Sequence, residues 1–99
     1  MVSIYLKGEP ILFRLWGKII TENHLDKDVV IKNDRADTRT HKIMNALEKI
    51  CYDFDLGKPI WLDSNITDFK KHRKTRFRQD NFLESIPFDF LEIEIIEED

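Results

Sequence analysis

The sequence predicts an α+β fold: one domain over residues 1–99, with a small antiparallel or mixed sheet and helices packed on one of its faces. Three observations predict it. Strand-like alternation of apolar and polar residues occurs near both ends of the chain, in Val2–Lys7, Phe13–Ile20 and Leu91–Ile95. The middle carries a helical apolar stripe. That stripe needs a flat apolar surface to cover, and a sheet supplies one. The expected order is β-β-β-α-α-β.

Val2, Ile4 and Leu6 alternate with Ser3, Tyr5 and Lys7, and Gly8-Glu9-Pro10 signals a turn. Ile11–Thr21 reads as a second strand. Phe13, Leu15 and Ile19 share one face; Leu12, Arg14, Trp16, Lys18 and Ile20 share the other. Gly17 between them suggests a bulge or a close approach by another backbone. Residues 22–27 read as a polar connection and Asp28–Lys32 as a short third strand. Ile43, Ala46, Leu47, Ile50, Cys51 and Phe54 then recur at helical spacing over an arc of about 140°. Asp37 or Thr38 supplies an N-cap oxygen, and Gly57 with Pro59 marks the end. Asp63 or Ser64 caps a second helix that turns Ile66 and Phe69 inward and ends near Lys74 or runs on to Arg78. Residues 80–85 allow one more helical turn. After Pro87, Phe88–Ile96 forms the last strand, with Leu91, Ile93 and Ile95 inward and Glu92 and Glu94 in water; on this reading Glu92→Lys is tolerated. Residues 97–99 form a solvated acidic tail.

The composition is that of a folded chain, 41% hydrophobic and 35% charged. The single cysteine, Cys51, excludes an intramolecular disulfide and a cysteine-based zinc site, and fits a reducing compartment. The start M-V-S-I-Y lacks the basic region and apolar run of a signal peptide. The main apolar run, residues 11–20, is broken by Arg14 and Lys18 and is too short to span a bilayer. A cytoplasmic protein with no membrane partner is expected.

Charge is sorted along the chain. Residues 1–68 carry −1, Phe69–Arg78 carries +6, and residues 79–99 carry −8. The basic segment F-K-K-H-R-K-T-R-F-R therefore presents Lys70, Lys71, Arg73, Lys74, Arg76 and Arg78 as candidate contacts for an anionic partner, either nucleic acid or an acidic protein surface. If the helix continues to Arg78, then Lys71, Lys74 and Arg78 form one ridge, while Phe69 and Phe77 share the inward face. The competing reading is a solvated basic face paired with Glu92, Glu94 and the acidic tail. A second candidate is the Leu12/Trp16/Ile20 strand face, an apolar patch rimmed by Arg14 and Lys18 that suits a protein partner or self-association.

No catalytic motif appears, and no enzyme activity or cofactor is expected. His41, Asn45, Glu48 and Tyr52 line one exposed helix face, where nothing desolvates them to tune their acidity. Asp63-Ser64-Asn65-Ile66-Thr67-Asp68 begins like a calcium loop, but Asp68 replaces the required glycine and Lys74 the closing glutamate. The three histidines lack ligand spacing, so no metal site is expected. Glycine-rich phosphate loops and the serine nucleophile elbow are absent.

The run P-I-W-L-D-S-N-I-T-D-F-K-K-H-R-K-T-R-F-R-Q-D-N-F, closing on F-D-F-L-E-I-E-I-I-E-E-D, resembles short uncharacterised proteins of Gram-positive bacteria over roughly residues 38–99. The resemblance implies a bacterial, intracellular protein and assigns no catalytic or binding residue. The residues themselves support a small non-enzymatic module that binds an anionic partner, with a protein-interaction or self-associating domain as the alternative.

Overall fold

In the computed structural model, which describes residues 12–98, strand β1 (Phe13–Thr21) and strand β2 (His24–Lys32) form a hairpin. Helix α1 (Arg39–Asp53) and helix α2 (Asp63–His72) follow, then strand β3 (Lys74–Phe77), a 3-10 turn (Gln79–Asn81) and strand β4 (Phe90–Glu98). The sheet order is β2-β1-β4-β3, with every neighbouring pair antiparallel. The fold is thus α+β with an open antiparallel sheet, as expected. The order of elements is not: among the described residues two strands precede the helices and two follow them, β3 being the strand that was not expected. The strand expected at Val2–Leu6 lies outside the described residues.

The hairpin corrects the polar connection expected at residues 22–27. Glu22 and Asn23 both adopt left-handed backbone, with φ of 50° and 66°. Two such residues in succession build the tight turn whose twist matches antiparallel strands. β2 therefore starts at His24, and its first five residues are exposed on both faces, because it is an edge strand. Exposure on both sides erases the alternation by which a strand is read.

α1 lies where its stripe predicts. Ile43, Ala46, Leu47, Ile50 and Cys51 are buried, and the Thr38 hydroxyl accepts the His41 N–H at 3.2 Å as N-cap. The helix stops at Phe54, and Asp55, in left-handed backbone, turns the chain away. Cys51 is enclosed in the core, and that burial pushes its thiol up to about 11, away from the reactive thiolate. Gly17 faces this helix. A Cβ there would sit 2.8 Å from Ile50 Cγ2, so the glycine admits a side chain of α1. The register shifts of β1 fall elsewhere, at Arg14/Leu15 and Ile19/Ile20.

α2 departs from expectation at its start and, of the two ends expected for it, takes the one near Lys74. Its N-cap position is Leu62, whose N–H is accepted by the Asn65 side chain at 3.0 Å, so neither Asp63 nor Ser64 caps it. Asn65 and Phe69 are buried, while Ile66 is exposed. At the other end, Arg73 takes φ of 58° and returns its N–H to Phe69. That left-handed residue ends the helix and sends the chain into β3. Lys71, Lys74 and Arg78 therefore form no helical ridge. Thr75 and Phe77 instead alternate inward along a strand while Lys74 and Arg76 point out.

The core lies between the sheet and the helices, with Phe13, Leu15, Phe77, Leu91 and Ile93 almost wholly enclosed. Trp61 closes one side of it, edge-on to Phe69 at 5.6 Å and to Phe77 at 5.0 Å. β4 runs on to Glu98, so Glu97 and Glu98 belong to a strand and not to a solvated tail. They pair with Arg14 and with Arg39 and Arg73 respectively.

Candidate anion-binding surface

Helices cover one face of the sheet; among the described residues the other carries no helix. Alternation assigns it Arg14, Trp16, Lys18 and Ile20 of β1, Glu92 and Glu94 of β4, and Lys74 and Arg76 of β3. The basic segment and the Trp16 face, two separate candidates in the sequence, thus contribute to one surface.

The surface is ordered by cross-strand register. Lys18 stands opposite Glu92, and Glu92 opposite Arg76. Lys18 Nζ lies 2.8 Å from Glu92 Oε2 and 3.1 Å from Glu94 Oε1, and Arg76 Nε donates to Glu92 Oε1 at 2.9 Å. Glu92 is only 7% exposed, contrary to its expected place in water, because these two cations close over it. Burial works against the charged form of both partners. Even so, its hydrogen bonds to Lys18 and Arg76 hold the Glu92 carboxyl below the usual range, and Glu92 and Glu94 hold the Lys18 ammonium above its own. Lys18 also lies over the Trp16 ring at 3.8 Å, and the Trp16 indole donates to Asp28 at 2.8 Å.

The six sequence candidates divide. Lys70 and Lys71 are exposed in the last turn of α2, and Arg73 turns toward Glu98 at 3.8 Å. Arg76 is committed to Glu92. Lys74, Arg76 and Arg78 meet at a cleft of about 280 Å³ that His72, Asp68 and Glu92 also line. Arg76 and Arg78 lie over the Phe90 ring, at 4.5 and 5.3 Å. Among the described residues no carboxylate stands within ion-pair distance of Lys70, Lys71, Lys74 or Arg78. The paired-face expectation therefore holds for Arg73 and Arg76, and among the described residues Lys70, Lys71, Lys74 and Arg78 lie outside any ion pair. The sequence gives His72 and Phe90 no part in this site and gives Lys18 only as a rim of the Trp16 patch. His72 sits inside the basic run, but only the strand pairing brings Lys18 and Phe90 to it.

The remaining candidates stay apart. His41 Nδ1 lies 3.1 Å from Asp37, Glu48 pairs with Lys58 at 3.6 Å, and Tyr52 is 82% exposed. The Thr38 N–H and His41 hold the Asp37 carboxyl below its ordinary value. Among the described residues no group of histidine, cysteine and carboxylate side chains is disposed to hold a metal. No helix among them is long and apolar enough to cross a membrane. No protein-family model, curated protein or solved structure matches this chain.

Proposed function

We propose that this chain is a small non-enzymatic binding module that takes an anionic partner on the basic surface of Lys70, Lys71, Arg73, Lys74, Arg76 and Arg78. A nucleic-acid strand is the partner favoured, in the cytoplasm of a bacterial cell. One observation carries the reading: Lys74 and Arg78 border the same cleft as His72 and have no carboxylate partner among the described residues. Cations left without internal partners are available to neutralise phosphates and release their counterions. Arg73 and Arg76 serve mainly to hold β4. Contacts of this kind position a partner without reading bases, so unrelated sequences compete alike.

The test is fluorescence anisotropy with labelled single- and double-stranded oligonucleotides. Binding is expected at about 50 mM salt and falls steeply as salt rises. Replacing Lys74 and Arg78 together by glutamate abolishes it with little change in melting temperature. Arg76→Gln instead lowers the melting temperature, because Glu92 loses a partner. No anisotropy change at low salt overturns the reading. Equal binding of a polyglutamate chain moves the partner to an acidic protein surface.

A second reading is favoured by one further observation. On the same open face Trp16 stands opposite Val30 and Ile20 opposite Leu25, and both β2 residues are at least 44% exposed. Such a strip, rimmed by charge, suits self-association or a protein partner. Sedimentation decides: a dimer dispersed by Val30→Lys supports it, and a monomer at all concentrations removes self-association.

A further inference from the structure

α1 packs over β1 and β2, whereas α2 packs beside β3. The two helices thus cover different parts of the sheet, and a groove of about 260 Å³ remains between them. Met44 of α1, Trp61, and Ile66 and Phe69 of α2 line it, with Arg39 and Lys70 among its few polar members. Met44 and Ile66 are 44% and 41% exposed despite facing an apolar space. Lys70 has no carboxylate partner among the described residues, and Arg39 shares Glu98 with Arg73. The Trp61 indole Nε1 is buried and finds no hydrogen-bond partner among the described residues.

We infer that this groove binds a small amphiphilic carboxylate, its unbranched apolar tail against Met44, Trp61, Ile66 and Phe69 and its head at Lys70 and Arg39. The apolar lining selects an apolar body, as in small-molecule sites generally. Of the groove's ionisable side chains Arg39 is paired with Glu98, and Lys70 has no carboxylate partner among the described residues, so its uncompensated positive charge selects an anionic head over a neutral or cationic one. The volume selects size. At about 260 Å³ the groove lies below the usual ~300–1,000 Å³ of larger ligand pockets, which suits a short-chain ligand. A folded partner segment is too large for it. Lys70 is the one residue shared with the proposed polyanion surface, and neither reading requires the other.

The experiment follows tryptophan fluorescence in the full chain carrying Trp16→Phe, which leaves Trp61 as the single indole. Sodium decanoate is titrated below its aggregation limit, with decanol and decyltrimethylammonium as head-group controls. Decanoate is expected to give a saturable change, with either control at least about tenfold weaker. Lys70→Glu weakens decanoate about tenfold and leaves decanol unchanged, while Ile66→Asp removes the response to all three. Ile66 is already exposed, so the Ile66→Asp variant keeps its fold, which circular dichroism and a thermal melt verify, and it still binds oligonucleotide if the parent does. The proposal is overturned by the absence of a saturable response, by equal affinity for the three head groups, or by an Ile66→Asp variant that binds as the parent does. Decanoate binding that appears only after Ile4→Asp and Leu6→Asp also overturns it, because the chain's own N-terminal segment then fills the groove.

Discussion

Lys18 and Glu92 face each other across β1 and β4, their side chains 2.8 Å apart, and with Arg76 on the far side the glutamate sits between two cations. The same geometry that buries the pair makes each member dependent on the other. A partner removed from a buried ion pair leaves an uncompensated charge, which costs more than the pair contributes. Glu92→Lys places three cations in one row and should cost about 3–5 kcal/mol, against about 1–3 kcal/mol for Glu92→Gln. Chemical denaturation of the two variants beside the parent measures both. A lysine variant as stable as the parent would show that the row is solvated and carries no structural charge pairing.

The pair also fixes how stability responds to pH. The Glu92 carboxyl is held low when folded, so its contribution is complete above the ordinary glutamate range, about 4.3, and is lost as pH falls through the lowered folded value. The Lys18 ammonium is held high, so its contribution is complete below the ordinary lysine value, about 10.4, and is lost as pH rises through the raised one. Urea midpoints at about pH 7 and about pH 3 should therefore differ less in Glu92→Gln than in the parent. An identical acid loss in both proteins would place the sensitivity in other carboxylates.

Gly17 opposite Ile50 gives a separate test of the helix–sheet packing. An alanine methyl would enter the space held by Ile50 Cγ2 and Cδ1, at 2.8 and 2.9 Å. Gly17→Ala should cost about 1–3 kcal/mol, the usual penalty of overpacking. Ile50→Ala removes the obstructing atoms at the cost of a cavity, so the double variant should be more stable than the sum of the two single losses implies. Strict additivity in thermal melts would mean that α1 does not approach β1 at this point.

What could be read from the sequence depended on whether an element keeps a period that burial imposes. α1 does, because Ile43, Ala46, Leu47, Ile50 and Cys51 are all buried, and β4 does, through Leu91, Ile93 and Ile95. The N-terminal half of β2 does not, since neither of its faces is covered. β3 was hidden for a different reason. Only Thr75 and Phe77 mark its inward face, and the surrounding lysines and arginines suit a helix equally well. A single left-handed residue, Arg73, decides between the two. The candidate surface inherits that ambiguity. Its six basic residues are legible as composition, but which of them are free follows from pairings with β4 that no local spacing encodes.

Asn65 is buried at the start of α2, although the sequence shows it only within a run that begins like a calcium loop. Its amide nitrogen donates to Thr75 Oγ1 and to the Arg76 carbonyl, both at 2.9 Å. Its carbonyl accepts the Leu62 N–H at 3.0 Å and the Asn81 amide at 2.7 Å. Asn81 in turn donates to the Ile60 carbonyl at 2.7 Å and accepts the Arg78 N–H at 2.9 Å. These two buried amides join the start of α2, strand β3 and the 3-10 turn, and so set the position of the basic segment itself. Asn65→Ala orphans several groups at once, and with about 1–3 kcal/mol for each buried group left unpaired it should cost about 3 kcal/mol or more. Asn81→Ala should cost a similar amount, and the double variant less than the sum, since the two share one bond. Amide hydrogen exchange should show β3 losing protection before β1 and β4 in either single variant. Uniform loss across the sheet, or a cost below about 1 kcal/mol by denaturation, would detach this network from the placement of β3.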